Sequence, residues 1–326
     1  MTPIERSWYR PFGWSLLLWP LSLLFAVLTC LRRWLYRFGC LRATACGAPV
    51  IVIGNITVGG TGKTPITLWM AEFLKQQGLK PGIISRGYGV TIASPRLVKP
   101  EDRAQDVGDE PLLLAQRSGC PVVIFPNRVA AAQYLLAHTD CNIILSDDGL
   151  QHYALKRDLE VVLLDGNRGL GNGCLLPAGP LREGAWRLSQ ADLVLVNSQP
   201  HPLSPWVFQL QPLTPCPLAP STQPLPEGSA VSLVSGIANP ARFERTVRDL
   251  GYPVLALHRF ADHHPFGLAD LQSIATPLLM TEKDAVKCRE FAQADWYYLP
   301  VRAIVPAAAI TILTEKLSQI RSRYGL

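Results

Sequence analysis

Between Asn55 and Thr64 the chain reads Asn-Ile-Thr-Val-Gly-Gly-Thr-Gly-Lys-Thr, so that Gly59, Gly60 and Gly62 lead into Lys63 and Thr64. Glycines allow several backbone N–H groups to converge on one anion, a lysine neutralises its charge, and a threonine hydroxyl can ligate a divalent cation. The chemistry of this segment is therefore phosphate binding. Asn55, Thr57 and Thr61 complete the polar set expected around the phosphates. The pattern departs from G-x-x-x-x-G-K-[ST] at its first glycine, where Thr57 stands. Such a loop works only between a strand and a helix. Val50 to Ile53 is an apolar run with strand chemistry. Pro65 to Gln77 has helical chemistry, with Leu68, Phe73 and Leu74 apolar and Gly78 as a stop. A glycine-rich turn that merely reverses the chain is the alternative, and Gly-Lys-Thr at the loop's end argues against it.

Acids follow at spacings that suit the same chemistry. Asn142 to Asp148 is an apolar strand ending in Asp147 and Asp148, a place where an acid holds Mg²⁺ beside a phosphate loop, although Asp-Asp-Gly is also good turn chemistry. Gln151 and His152 lie in the same loop. Asp109 and Glu110 open a predicted helix after Gly108, and the residue types alone favour helix capping by Asp109. Asp262-His263-His264 suits proton transfer better than metal binding, because no third ligand is spaced to join the two histidines. Leu176 to Glu183 is a proline-rich loop presenting Arg182 and Glu183. Thr281 to Lys287 opens a helix of mixed charge, which a solvated face explains as well as anything.

The elements that must position these residues follow from apolar patterning. Strand-like runs at 81–85, 121–125, 142–146, 159–164 and 191–197 alternate with helical stretches at 110–117 and 128–138. Near-continuous Val, Ile and Leu in the strands implies a mostly parallel sheet covered on both faces, with ligands at the carboxyl ends of the strands. Prolines crowd residues 201–229, which reads as a connector. A second, smaller α/β pattern begins at Ala230, with strands at 230–235, 254–260 and 278–281, a helix at 240–250 and a final helix at 315–324 whose packing partner is open. The expected division is a membrane-associated segment at 1–45, a phosphate-loop core at 46–200, the connector at 201–229 and the smaller domain at 230–326.

At 326 residues, 48% hydrophobic, 17% charged and net +6, the chain is neither disordered nor fibrous, and it is more apolar than an ordinary soluble enzyme. The excess apolarity is concentrated at the start. Pro11 to Leu31 holds no charge, with arginines at 6 and 10 before it and at 32, 33, 37 and 42 after it, an arrangement suited to an anionic membrane surface. At about 1.5 Å per residue it would nearly cover a ~30 Å hydrocarbon core. Three readings compete: a cleaved leader, a membrane span, and a helix or hairpin kinked at Pro20 and lying in one leaflet. The tryptophans at 14, 19 and 34 favour the last. The eight cysteines show no C-x-x-C pair and read as buried free thiols of a reducing compartment.

Taken in order, residues 54–65, Ser85-Arg86-Gly87-Tyr88-Gly89, Gly108-Asp109-Glu110-Pro111, Asp147 to His152, Leu176 to Glu183, Asp262-His263-His264 and Thr281 to Lys287 resemble the tetraacyldisaccharide 4'-kinase family of lipid A biosynthesis. The resemblance runs from the apolar N-terminus to about residue 290, and the family carries a small hydroxyl residue where Thr57 stands. It implies an ATP- and Mg²⁺-dependent kinase acting on the 4'-hydroxyl of a tetraacylated glucosamine disaccharide 1-phosphate. The expected setting is the cytoplasmic face of a Gram-negative inner membrane, with membrane lipid but no nucleic acid as partner. It also implies a catalytic base at Asp109 assisted by His263, which reverses the capping preference. Lys63 would contact the β- and γ-phosphates, Thr64 and Asp148 would hold Mg²⁺, and Asp147, Gln151 and His152 would line the acceptor site. Arg86, Tyr88, Arg128, Arg182 and Glu183 are further candidates for the lipid sugar and its phosphate. Two other classes compete: a phosphate-loop ATPase acting as a recruitment switch, and a lipid-binding protein with a vestigial loop, against which intact Lys63, Thr64 and Asp148 speak.

Overall fold

Strand β1 (Val50–Asn55) alternates its side chains between two buried layers, Ile51 and Ile53 entering one and Val50 and Val52 the other, as the two-residue period of a strand requires. It is the centre of the structure. The computed structural model describes residues 2–10, 12–219, 223–237 and 239–326. Pro11, which begins the apolar run, and Pro220 of the proline-rich stretch lie outside the described residues.

Nine strands form the large sheet: β1, β2 (Pro81–Ser85), β3 (Arg96–Val98), β4 (Val122–Ile124), β5 (Ile143–Asp147), β6 (Leu159–Asp165), β7 (Leu193–Asn197), β8 (Val207–Pro212) and β14 (Val301–Ile304). Their order is β14-β8-β7-β6-β1-β5-β2-β4-β3. All neighbours run parallel except at the two edges, where β3 and β14 pair antiparallel. The expected mostly parallel sheet is borne out. Because β1 lies between β5 and β6, the chain leaves it at the point where strand order reverses, which opens a crevice at the carboxyl ends.

Among the described residues ten α-helices accompany the sheets: α1 (Pro3–Trp8), α2 (Trp19–Arg37), α3 (Lys63–Gln76), α4 (Ala104–Val107), α5 (Asp109–Ser118), α6 (Arg128–His138), α7 (Pro240–Asp249), α8 (Leu268–Leu271), α9 (Glu282–Cys288) and α10 (Ala307–Tyr324). On one face of the large sheet, Ile66, Met70 and Leu74 of α3, Leu112 and Leu114 of α5 and Leu313 and Leu317 of α10 share a core with Ile51 and Ile53. The other face is covered by Ala131, Ala132 and Leu135 of α6 together with Leu150, Leu155, Leu181 and Leu188.

A second sheet has the order β11-β10-β12-β13-β9, from β9 (Cys216–Pro217), β10 (Val231–Ser235), β11 (Val254–Arg259), β12 (Leu278–Thr281) and β13 (Trp296–Leu299). It has its own cores, one around Trp296, Phe266 and Leu271 and one around Phe243, Val247 and Tyr297.

The proline-rich stretch is more than connector, since β8 joins the large sheet and β9 the small one. Nor does the chain stay with the small sheet after β13. β14 pairs with β8, and the stripe Ala309, Leu313, Leu317 and Ile320 of α10 lies in the large-sheet core. That helix starts at Ala307, earlier than the expected 315. Pro20 falls in the first turn of α2, where its missing N–H has no helical partner to lose, so it starts the helix instead of bending it. Five of the eight cysteines are not buried, Cys30 and Cys40 being exposed on or just beyond α2; all eight are free.

Candidate functional site

The phosphate loop has the expected setting, leaving β1 at Asn55 and entering α3 at Lys63. Gly62 stands before the helix at φ +95°, and a Cβ there would lie 2.9 Å from the Asn197 amide nitrogen, so glycine is required on both counts. Asn55 is buried and spans the loop. Its amide donates to the Gly59 carbonyl at 3.4 Å, and its carbonyl oxygen lies 3.5 Å from Lys63 Nζ. Thr57, Gly60, Thr61 and Thr64 follow the same turn. Thr57 pairs with Leu181 as an isolated antiparallel bridge, the Val58 N–H donates to the Pro180 carbonyl at 2.8 Å, and the Arg182 N–H donates to Ile56 at 2.7 Å. Residues 180–182 are thereby a short rail along the loop.

Where β5 ends, two acids diverge. Asp147 is 1% exposed and accepts a hydrogen bond from Thr67 Oγ1 at 3.2 Å; burial, Glu110 and Asp148 push its carboxyl well above the usual range. Asp148 has φ +47°, a left-handed turn that sends its carboxylate the other way. Both of its oxygens lie 3.0 Å from Arg182 Nη1, and although burial alone would raise it, Lys63 and Arg182 hold it below the ordinary range. Gln151 donates to the Asn55 carbonyl at 3.2 Å. His152 is driven down to about 4 by burial and by Arg128, Arg157, Arg32 and Arg86.

Across the crevice, Gly108 at φ +90° starts α5, so Asp109 is the first helical residue. Its carboxylate is 6% exposed and accepts from the next N–H, that of Glu110, at 2.9 Å. His263, at φ +61° in a loop of the small sheet, brings Nδ1 to 3.1 and 3.0 Å from the two Asp109 oxygens. Burial pushes Asp109 up, but His263, Lys283 and Lys287 outweigh it and hold the carboxyl at about 2.

The remaining candidates differ in how free they are. Arg86 and Tyr88 line the crevice and are exposed, with the Tyr88 ring 5.1 Å from that of His263. Arg128 is 3% exposed and donates to the Phe125 and Asp147 carbonyls at 3.1 Å, so it braces the strand ends. Glu183 is 6% exposed, bonded to Tyr153 and paired with Arg187 at 3.3 Å. His264 faces Asp270 at 3.3 Å, away from Asp109, so of the two adjacent histidines it is His263 that meets the acid.

Apart from Asn55, Thr57 and His264, the candidate residues named from the sequence line one cavity of about 1080 Å³, which runs from the phosphate loop past Asp109 and Asp148 to Phe25, Thr29 and Arg32 of α2. Four polar residues escaped sequence reasoning. Asn197 ends β7 and donates to the Thr61 carbonyl at 3.1 Å, and Arg242 of α7 donates to Asn197 at 3.0 Å. Lys283 and Lys287, one turn apart on α9, each come within 4.0 Å of Asp109. A polar residue closing an apolar strand is the signal that could have found Asn197, as it found Asp147. The i, i+4 spacing could have put the two lysines on one face, but nothing local points that face at Asp109.

The oxygen-only donors near the loop, Thr64 with Asp147 and Asp148, suit a hard cation. Among the described residues no cluster of three or more acidic, histidine or cysteine side chains forms a complete cage.

Comparison with known proteins gives a consistent picture. A family model described as tetraacyldisaccharide-1-P 4'-kinase matches residues 14–318. The tetraacyldisaccharide 4'-kinase of Shewanella oneidensis is 48% identical over 311 residues, covering 92% of this chain and 90% of that protein. The one from Shewanella piezotolerans is 47% identical over 323 residues, covering 97% of each. A crystal structure of the apo form of LpxK from Aquifex aeolicus in complex with ATP aligns with a TM-score of 0.77 at 25% identity, covering 94% of this chain and 99% of that one. With the family model matching residues 14–318 of this chain and relatives 47–48% identical over more than nine-tenths of it, the chain belongs to the tetraacyldisaccharide-1-P 4'-kinase family.

Proposed function

We propose that this protein is an ATP-dependent lipid kinase that transfers the γ-phosphate to the 4'-hydroxyl of a tetraacylated glucosamine disaccharide 1-phosphate. The observation that carries the reading is the single cavity joining a phosphate loop, the Asp109–His263 pair and the wall of an apolar helix. Donor, base and membrane-facing element then share one space, as a bilayer-held acceptor requires.

In this reading the loop N–H groups and Lys63 cradle the β- and γ-phosphates, and Asn55 holds Lys63 toward them. Leu210, Ile237, Phe243, Leu299 and Val301, with Arg242, form the apolar end of the cavity suited to a nucleobase. Asp109 is ionised at neutral pH and accepts the hydroxyl proton, and His263 fixes the carboxylate's orientation. Thr64 and Asp148 would hold Mg²⁺. A carboxylate has about four lone-pair sites and Arg182 uses one on each oxygen of Asp148, so acceptor capacity remains. When bound, the ion neutralises charge developing on the phosphates. Asp147, Gln151, His152, Arg86, Tyr88, Arg128, Arg182 and Glu183 surround the acceptor end.

The N-terminus supports a membrane location. Trp14–Arg37 is long and apolar enough to cross a membrane, with 11% of its most apolar window buried in the protein. Leu17, Leu21, Leu24, Leu28 and Leu31 are all more than half exposed. We place this helix in the bilayer with Arg32, Arg33, Arg37 and Arg42 at the cytoplasmic surface, where ATP is available and a four-chain lipid stays embedded.

Incubation of the full chain with ATP labelled at the γ-phosphate and the disaccharide 1-phosphate, in mixed micelles, tests the reading. Label in the lipid, at the 4' position, is the expected result. Free phosphate without labelled lipid would replace transfer by hydrolysis.

A further inference from the structure

Lys283 is the second residue of α9, and its side chain is 18% exposed. Its ammonium reaches both bodies of the protein at once. Glu110 Oε1 lies at 3.1 Å and Asp109 Oδ2 at 4.0 Å on the large-sheet side, with Asp262 Oδ1 at 3.5 Å and His263 Nε2 at 3.2 Å on the small-sheet side. Burial alone would lower its pKa, but Glu110, Asp109 and Asp262 push it upward, so it stays charged.

An ammonium can only donate hydrogen bonds, so the ring nitrogen facing it must offer a lone pair. That leaves the single imidazole proton on Nδ1, the atom that meets both Asp109 oxygens. We propose that Lys283 is a positioning residue that holds His263 as the neutral, Nδ1-protonated tautomer, so that His263 donates to Asp109 while Asp109 keeps its proton-accepting capacity. The inference rests on the kinase reading for its catalytic meaning, but not for its geometry.

The groups facing His263 show why the lysine matters. Asp109 and Glu110 come from α5 and Asp262 from its own loop, 4.0 Å from Nε2. The Tyr88 ring comes from the 85–89 loop, and Lys283 and Lys287 come from α9, Lys287 reaching only as far as Asp109. Two carboxylates, Asp109 and Asp262, thus favour a doubly protonated ring, while Glu110 meets Lys283. His263 is already raised by its hydrogen bond to Asp109, with burial and Lys283 opposing. Removing Lys283 removes the nearest opposing charge. Asp109 would then face an imidazolium and lose strength as a base.

The experiment uses the full chain in detergent micelles, labelled with ¹⁵N-histidine, with the His263→Gln spectrum assigning the ring among six histidines. The wild type should show a neutral ring protonated at Nδ1 near pH 7.5. Lys283→Met should shift the titration midpoint upward, with at least about a tenfold change in the protonation constant, one pH unit. It should also lower kcat, leave KM for ATP within about twofold, and move the acid limb of the kcat profile to higher pH. Lys283→Arg should restore the tautomer. Arg103→Gln breaks the exposed Arg103–Glu290 pair between the same two bodies and should leave the ring unchanged. An unchanged ring in Lys283→Met overturns the proposal. So does the same change in Arg103→Gln, which would assign the effect to domain docking, or a selective rise in KM for ATP, which would make Lys283 a phosphate ligand. If the wild type labels no lipid, the kinase reading fails while the ring spectra still decide the tautomer.

Discussion

The Ala178 N–H donates to Ser22 Oγ at 3.2 Å, and three residues later Leu181 pairs with Thr57 at the mouth of the phosphate loop. One short segment therefore ties the apolar helix α2 to the nucleotide end of the crevice. The Trp8 indole N–H adds a second stitch, to the Pro177 carbonyl at 2.9 Å. The rail holds α2 through Ser22, whereas Leu17, Leu24 and Leu28 are exposed, so changing them leaves the rail's hydrogen bonds in place.

The exposed face of α2 should control membrane partition without touching ATP binding. Leu17, Leu24 and Leu28 are 83%, 56% and 56% exposed. Burying one leucine is worth about 1.5–3 kcal/mol, about tenfold or more, so changing all three to serine should weaken vesicle binding by at least about 100-fold. Flotation with liposomes and equilibrium binding of a fluorescent ATP analogue read the two effects separately. Unchanged flotation would remove the anchoring role.

Asp109→Ala should lower turnover by ~10²–10⁴-fold, the range of general-base assistance, while ATP binding persists. Single-turnover rates with saturating ATP measure it. A variant working at the wild-type rate would show that Asp109 is not the base.

Gly62→Ala should damage the phosphate loop before it damages the fold. The position is at φ +95° with the Asn197 amide 2.9 Å from the new methyl. A left-handed conformation costs an alanine about 1–2 kcal/mol. Denaturation should show a loss of that size, and ATP affinity by calorimetry should fall at least about tenfold.

His152 should make stability depend on pH between about 6.5 and 4. Its folded pKa is about 4, below the ordinary value of 6.5, so in this window the unfolded chain binds a proton that the folded chain refuses. Stability from this group is intact above pH 6.5, falls as pH drops, and levels off below about 4. His263 is shifted upward and works in the opposite sense, so the comparison must be wild type against His152→Gln at each pH. The variant should lose less stability than the wild type between pH 7 and 4 in urea titrations. Parallel curves would contradict the assignment.

Local chemistry made much of this protein legible from its residues. The run Val50 to Thr64, helix 128–138 and the acids closing β5 are written in apolar period, glycine placement and helix stops, all set within a few residues of chain. The apolar face of α2 is equally plain in composition. Strands β8 and β9 were hidden because prolines suggested a connector, whereas β8 joins the large sheet near an edge and β9 is an edge strand, where an absent N–H is tolerated. Asp109 and His263, 154 residues apart, meet only because the small sheet docks over α5. The same docking turns Lys283 from a charge on an apparently solvated helix into the group that faces the histidine ring. Periodicity and caps are local properties, so the chain's own order determined the strands, the loop and the apolar helix α2. Which charges face one another across the crevice depends on how two separately cored sheets come together, and that only the tertiary structure decided.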